Sequence, residues 1–148
     1  MKNTRSLFVL AVLLFAFALP NINFADEPVK GDSTKYTIEN CVNSLDMNKT
    51  VKTPAGYQYW FVDKNFIDGR TLKMSVVKPH DAAHAPHKHP EDEFFFVLEG
   101  TTEFYLDGKT TTGGAYTSFY CPSNVMHGIR NVGDTVLKYL VIKKYIMN

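Results

Sequence analysis

The chain has 148 residues, of which 45% are hydrophobic and 21% are charged, and its formal net charge is +1. Neither sign of charge dominates and the charged residues are scattered, which argues against nucleic-acid binding and against attachment to an anionic membrane. The length suits a single domain built around one hydrophobic core.

The N-terminus has the pattern of an export signal. Lys2 and Arg5 precede an unbroken apolar run over residues 7–19, which is too short to cross a bilayer because a spanning helix needs about 20 residues. We therefore interpret residues 1–25 as a signal peptide that is cleaved after residue 18 or after residue 25. The first site fits the small-residue rule and the second fits the usual length, so both remain open. The mature protein is expected to be periplasmic or secreted, with no membrane segment.

The segment that follows is polar. Residues 26–35 contain Pro28 and Gly31, which predicts a mobile lead-in. Residues 36–148 are predicted to form one domain that begins with a strand or a short helix over residues 36–45.

Short β-rich segments separated by glycine-containing turns fill the rest of the chain. Asp68-Gly69 predicts a hairpin between residues 59–66 and 70–78, and Asp107-Gly108 predicts another between residues 101–106 and a strand that starts at residue 110. The remaining predicted strands are residues 94–98, 115–120, 125–130 and 135–145, with Gly133-Asp134 turning the last pair. This pattern indicates an all-β antiparallel sandwich or barrel.

Three histidines and one glutamate are the candidate metal ligands: His87, His89, Glu93 and His127. Imidazole nitrogens with one carboxylate oxygen suit a divalent Fe, Mn, Ni, Cu or Zn ion. Residues two apart on a strand share a face, so His87 and His89 are expected to aim into one cavity before Pro90 ends the strand. His127 must come from a later strand that passes the same cavity.

The spacing of these residues resembles the first motif of the cupin family, which reads His-x-His, three or four residues, Glu, six residues, Gly. Here three residues separate His89 from Glu93, and six separate Glu93 from Gly100. The gap to Gly100 selects Glu93 as the carboxylate ligand, and we interpret Glu91 and Asp92 as a solvated turn.

A second stretch resembles the family's other motif, which reads Gly, several residues, Pro-x-Gly, two residues, His, three residues, Asn. The corresponding positions are Gly114, Pro122, Asn124, His127 and Asn131. Asn124 stands where the family usually has glycine, and asparagine is the next-best residue for a positive φ angle. The resemblance covers residues 72–144. It implies a cupin double-stranded β-helix in a single domain, one divalent metal inside it, and a homodimer formed through the outer sheet.

Several side chains near the motifs have more than one interpretation. Strand alternation predicts that Phe95 and Phe104 line the pocket, with Met126 filling irregular space there. Such an apolar, aromatic wall favours a small, partly hydrophobic or planar ligand over a highly charged one. His80 and His84 precede the first motif, and we interpret them as exposed loop residues rather than as substrate contacts or proton shuttles.

Two further features leave alternatives open. Residues 94–98 are apolar on both faces, which predicts a strand covered by the barrel interior on one side and by another layer or subunit on the other. Cys41 and Cys121 are either a disulfide, which an oxidising compartment permits, or two free thiols.

Two functional hypotheses follow from the ligand set. The first is an exported metal-dependent enzyme that acts on a small molecule, of dioxygenase, isomerase or lyase type, with no catalytic residue assigned outside the metal ligands. The alternative is a non-catalytic module that binds a small molecule or a sugar. No nucleic-acid partner is expected under either hypothesis.

Overall fold

The computed structural model describes residues 35–147. The predicted signal peptide, residues 1–25, and nearly all of the predicted lead-in, residues 26–35, lie outside the described residues. The chain divides into the units Met1–Thr37 and Ile38–Asn148, and the fold given below belongs to the second. In the part of the chain that is described, no helix has the length and apolar character needed to cross a membrane.

Helical structure is confined to the start of this unit. One helical turn, α1, spans Ile38–Cys41, and a 3-10 turn spans Met47–Lys49. The Asp46 carboxylate caps the 3-10 turn by accepting a hydrogen bond from the Asn48 N–H at 3.0 Å. The sequence left a strand or a short helix open for residues 36–45, and the helix α1 shows that the second alternative is correct.

Nine strands make up the rest of the fold. In chain order they are β1 Val51–Thr53, β2 Gly56–Ile67, β3 Arg70–Val77, β4 Glu93–Glu99, β5 Thr102–Leu106, β6 Lys109–Gly113, β7 Ser118–Cys121, β8 His127–Asn131 and β9 Leu137–Lys144. They form a six-stranded sheet in the order β1-β2-β3-β9-β4-β7 and a three-stranded sheet in the order β6-β5-β8. All pairs are antiparallel, which confirms the predicted all-β fold.

The turn chemistry predicted from the sequence is confirmed at three places. Asp68 and Gly69 have φ angles of 38° and 76°, and Asp107 and Gly108 have φ angles of 44° and 86°. Two consecutive positive φ angles are the mark of the type I′ hairpin turn, and these turns join β2 to β3 and β5 to β6. Asn124 has a φ of 58°, as expected for an asparagine in place of glycine.

The connection at Gly133-Asp134 differs from the prediction. It does not close a hairpin, because β8 pairs with β5 in the small sheet while β9 pairs with β3 and β4 in the large one. The buried Asn131 side chain holds this crossover. Its amide donates to the carbonyls of Val77 at 3.1 Å and Thr135 at 2.7 Å, and its oxygen accepts from the Gly133 N–H at 2.9 Å.

Alternation along the strands separates the interior from the outer face. On β4, Glu93, Phe95 and Val97 are buried, whereas the intervening Phe94 is 46% exposed. The same parity on the neighbouring strands produces the larger of two hydrophobic clusters among the described residues, whose buried members include Val77, Phe104, Phe119, Cys121, Ile129, Leu137, Tyr139 and Val141. Within the described residues no second layer covers Phe94, and the alternative of a cover by another subunit stays a prediction.

Candidate metal centre

Four side chains from separate parts of the chain converge inside the fold. His87, His89, Glu93 and His127 each offer one donor atom, and these atoms all lie within 4.8 Å of one another. His127 is fully buried and Glu93 is 5% exposed. The structure therefore brings together all four residues that the sequence singled out.

Backbone pairing sets the positions of these residues. Glu93 is the first residue of β4 and His127 is the first residue of β8. His87 forms an isolated bridge with His127 through two hydrogen bonds of 2.9 Å, one in each direction. The carbonyl of His89 accepts from the Asn124 N–H at 2.8 Å. His87 and His89 thus lie in a loop tied to the second motif rather than in the regular strand that was predicted.

Two of the imidazole rings are oriented by backbone carbonyls. His89 Nδ1 lies 2.8 Å from the Glu91 carbonyl, and His127 Nδ1 lies 2.8 Å from the Val125 carbonyl. A carbonyl only accepts, so Nδ1 carries the proton and Nε2 keeps its lone pair. Those Nε2 atoms face Glu93 Oε1, at 3.6 Å from His89 and 3.1 Å from His127. This is the tautomer that metal ligation requires.

Two buried ring nitrogens of the cluster have no hydrogen-bond partner among the described residues. They are His87 Nδ1 and His89 Nε2. A buried unsatisfied polar atom costs about 1–3 kcal/mol, which a bound cation would offset. Burial lowers the pKa of His87, and the neighbouring His84 and His127 rings lower it further, so the neutral, ligating form is favoured. The donor set therefore fits a divalent metal ion.

Three of the four candidate ligands, His87, His89 and Glu93, border a cavity of about 170 Å³, and the fully buried His127 lies behind them. The other residues in its wall are Trp60, Thr71, Lys73, His84, Phe95, Tyr139, Val141, Lys143 and Tyr145. Phe95 lies in this wall as predicted, but Phe104 and Met126 do not. Phe104 instead stacks on Phe119 with ring centroids 4.7 Å apart.

The wall is more polar than the aromatic sequence predicted. Lys73 on β3 and Lys143 on β9 both reach the cavity, and sequence analysis identified neither. Burial lowers the pKa of Lys73, and the Glu93 carboxylate opposes that shift. Strand alternation does place both lysines on the face of the strand that points into the fold. The sequence alone does not tell which face of each strand points inward, so the two lysines were missed.

Glu91 is not the solvated turn residue that we predicted. Its side chain is 15% exposed, and Oε2 lies 3.6 Å from Lys143 Nζ and 3.5 Å from His89 Nδ1. Burial alone raises the pKa of Glu91, but backbone hydrogen bonds and Lys143 outweigh it and hold the pKa below its ordinary value. Glu91 therefore contacts a candidate ligand through both its carbonyl and its carboxylate. Asp92 does remain exposed, and it accepts a hydrogen bond from the Tyr120 hydroxyl.

The remaining histidines differ from each other. His84 is exposed, yet it lines the cavity and packs edge-on against His87 with ring centroids 4.4 Å apart. His80 lies 2.9 Å from Asp134, and both side chains are well exposed. His80 is therefore an exposed loop residue, as predicted. His84 is exposed as predicted, but it also lines the cavity.

The two cysteines are both free thiols. Cys41 is exposed, whereas Cys121 is fully buried and pairs in register with Glu93 across β4 and β7. Burial raises the pKa of Cys121 to about 12, so its thiol stays protonated at neutral pH. Cys121 does not belong to the group of converging donors found among the described residues.

Known proteins share both the sequence pattern and the fold. Residues 73–143 match the family model described as Cupin domain. A polyketide synthase, CurC, of Streptomyces cyaneus is 34% identical over 64 residues, an alignment that spans 43% of this chain and 41% of that protein. This chain therefore corresponds to about two fifths of that relative's length.

Solved structures extend the likeness to the arrangement of strands. A predicted oxalate decarboxylase from Thermotoga maritima superposes with a TM-score of 0.57 at 24% identity, covering 61% of this chain and 80% of that chain. The polyketide cyclase RemF from Streptomyces resistomycificus gives 0.57 at 20% identity, covering 70% and 79%. At these identities the likeness concerns the fold alone. Residues 73–143 thus resemble a cupin domain in sequence, and the solved structures share its fold.

Proposed function

We propose that this protein is a metal-dependent enzyme that acts on a small molecule in the cavity beside His87, His89, Glu93 and His127. One observation carries the proposal: four donor atoms lie within 4.8 Å of one another, and two of the histidine nitrogens are buried with no other partner. An ion held by four protein ligands in a six-coordinate geometry keeps open positions for a substrate, which distinguishes a catalytic site from a closed structural one.

The chemistry of the donors narrows the choice of metal. Three imidazole nitrogens and one carboxylate suit Fe, Mn, Ni, Cu or Zn, whereas Ca²⁺ prefers a shell of oxygen ligands and Mg²⁺ keeps several waters. Such an ion supplies Lewis acidity or redox chemistry to a bound substrate. The protein's own part is to orient the rings through the Glu91 and Val125 carbonyls and to wall the cavity with Trp60 and Phe95.

The names of similar proteins favour catalysis over passive binding. Those reported above are a polyketide synthase, a predicted oxalate decarboxylase and a polyketide cyclase, all enzymes of small-molecule chemistry. The proposed reaction class is a dioxygenation, an isomerisation or a lyase reaction. The alternative is a binding module for a small molecule or a sugar that leaves its ligand unchanged.

Turnover measurements separate the two. The protein is purified, stripped of metal and reloaded separately with Fe(II), Mn(II), Ni(II), Cu(II) and Zn(II). Each form is then incubated with panels of phenols, thiols, carboxylic acids and sugars. Product formation or oxygen uptake in one loaded form, and not in the stripped protein, is the expected result. A ligand that raises the melting temperature of the loaded protein but is recovered unchanged would favour the binding module.

We further propose that the protein is exported, on the strength of the charged start and the apolar run before residue 20. Expression of the full chain in a bacterial host, followed by fractionation and N-terminal sequencing, tests this. The expected product is periplasmic or secreted and starts at residue 19 or 26. Full-length protein retained inside the cells would contradict the export signal.

A homodimer formed through the outer face of the six-stranded sheet is also proposed. Phe94, Tyr120 and Ile142 are each 46% exposed there. Phe94 pairs in register with both of the others, so the three form a continuous apolar patch. A second copy of the same sheet would cover this patch, and contiguous exposed apolar surface commonly marks such contacts.

A further inference from the structure

Two lysines reach the interior of the fold beside the candidate ligands. Lys73 lies on β3 and Lys143 on β9, on strands that are directly paired, and both line the same cavity as Glu93. Lys143 is largely buried and Lys73 is partly buried, and lysine is rarely buried without a partner because its charge must leave water. The question for each lysine is therefore which negative charge neutralises it.

Lys143 has a partner within the protein. Its Nζ lies 3.6 Å from Glu91 Oε2, and both side chains are largely buried, at 9% and 15% exposed. The same Nζ lies 4.8 Å from the centroid of the Tyr145 ring. The charge of Lys143 is thus balanced by Glu91 without any ligand.

Lys73 has no such partner. Its Nζ lies 5.0 Å from the centroid of the Trp60 ring, and no carboxylate of residues 35–147 comes within the 4.0 Å of an ion pair. The carboxylate that acts on the charge of Lys73 is that of Glu93, which is itself one of the candidate metal ligands and contacts His127. Lys73 is therefore a cationic donor that lines the cavity and has no hydrogen-bond acceptor among residues 35–147.

The overall charge of the cavity follows from these pairings. A divalent ion bound by the Glu93 carboxylate would keep a net charge of one. The charge of Lys143 is neutralised by Glu91. The charge of Lys73 is not neutralised, so it adds a second positive charge to the cavity. An uncharged ligand would leave both charges poorly solvated in a cavity of about 170 Å³. A small anion that brings its own oxygen donors would neutralise them.

We propose that the substrate is a small organic acid whose carboxylate is bound by Lys73 Nζ while a second oxygen faces His87, His89, Glu93 and His127. This inference rests on the proposed metal centre and names the class of substrate. One planar carboxylate matches the unpaired Lys73 beside Trp60 and Phe95. A second anionic oxygen, as in a dicarboxylate such as malonate, would balance the positive charge left at the ion. Such a substrate is more highly charged than the small, partly hydrophobic or planar ligand that the aromatic residues predicted.

Calorimetric titration tests the inference. Protein loaded with Mn(II) is titrated with malonate, with its neutral diamide malonamide, and with inorganic phosphate, and metal content is measured after each titration. Malonate is expected to bind at least about tenfold more tightly than malonamide or phosphate, because charge-assisted hydrogen bonds are the strong ones. Lys73→Gln is expected to weaken malonate binding by about tenfold with the manganese content unchanged. Lys109→Gln, which removes an exposed lysine at the β5–β6 turn, is the matched control and should bind like the wild type.

Each outcome decides one point. Three results would overturn the carboxylate inference: malonamide binds as tightly as malonate, phosphate binds more tightly than malonate, or Lys73→Gln leaves malonate binding intact. If the protein still holds manganese in these experiments, the proposed metal centre stands. Failure of the wild-type protein to hold manganese or any other ion tested would instead overturn the proposed function itself. If Lys73→Gln does not fold, as judged by its melting temperature, the comparison of malonate with malonamide in the wild type still decides the inference.

Discussion

Glu91 contacts His89 twice: the Glu91 carbonyl oxygen lies 2.8 Å from His89 Nδ1, and the carboxylate Oε2 lies 3.5 Å from the same atom. The carboxylate also lies 3.6 Å from Lys143 Nζ. A residue that the sequence places in an ordinary turn therefore both orients a candidate ligand and balances a buried lysine.

Replacing this carboxylate is expected to weaken metal binding without abolishing it. In Glu91→Gln the carbonyl contact to His89 persists, but the negative charge that raises the basicity of the ring is lost. Loss of such an outer partner typically lowers metal affinity about 10- to 100-fold. Competition with a chelating dye measures the affinity. Glu99→Gln removes a carboxylate paired with Lys138 on the surface and is the control, so equal affinities for the two variants would contradict the role of Glu91.

Asn131 is expected to matter for stability rather than for the metal. Its buried side chain bonds the carbonyls of Val77 and Thr135 and the Gly133 N–H. Asn131→Ala leaves those groups unsatisfied and should lower the free energy of unfolding by about 3 kcal/mol. Urea denaturation of the metal-free protein measures this. Asn65→Ala, at an exposed position of β2, should change the free energy by less than about 0.5 kcal/mol, and a similar small effect at Asn131 would contradict the account.

The two thiols are expected to react very differently. The thiolate is the nucleophile, and burial that raises the pKa of Cys121 to about 12 keeps its thiol protonated at neutral pH. In the folded protein a thiol-specific disulfide reagent should therefore label the exposed Cys41 alone. Both cysteines should react after denaturation, and Cys41→Ser should abolish the native labelling. A chain that stays unlabelled when denatured without reductant would show a disulfide and contradict the structure.

Substitution in the outer apolar patch is expected to dissociate the proposed homodimer. Phe94→Ser places a polar hydroxyl at the centre of the patch formed with Tyr120 and Ile142. The dimer dissociation constant should rise by about tenfold or more, as for a central interface residue. Light scattering over a range of concentrations measures it. Met47→Ser, which removes an exposed apolar side chain from the 3-10 turn, should leave the dimer intact, and a wild-type protein that is monomeric throughout would refute the proposal.

The parts of the fold that the sequence predicted correctly depend on local geometry. The turns at Asp68-Gly69 and Asp107-Gly108 and the positive φ of Asn124 follow from the few residue types that adopt those conformations. The four candidate ligands were identified by residue type and by spacings that resemble two short cupin motifs.

The parts that the sequence did not predict depend on relations between distant strands. Lys73 and Lys143 enter the cavity because β3, β9 and β4 pair in a register that places Thr71 beside Lys143 and Lys143 beside Glu93. Phe104 faces the core like Phe95, but it stacks on Phe119 and does not line the cavity. Alternation assigns a residue to a face, yet it does not say how far along the barrel that residue lies.

The central claim is that His87, His89, Glu93 and His127 hold one metal ion, and metal stoichiometry tests it most directly. Elemental analysis after reloading and dialysis should give one ion per wild-type chain and almost none for Glu93→Ala and His127→Ala. Glu103→Ala, which removes a carboxylate paired with Arg130, should retain one ion. Circular dichroism should show that all variants keep the β-sheet fold. Full metal occupancy in Glu93→Ala and His127→Ala, or none in the folded wild-type protein, would contradict the account.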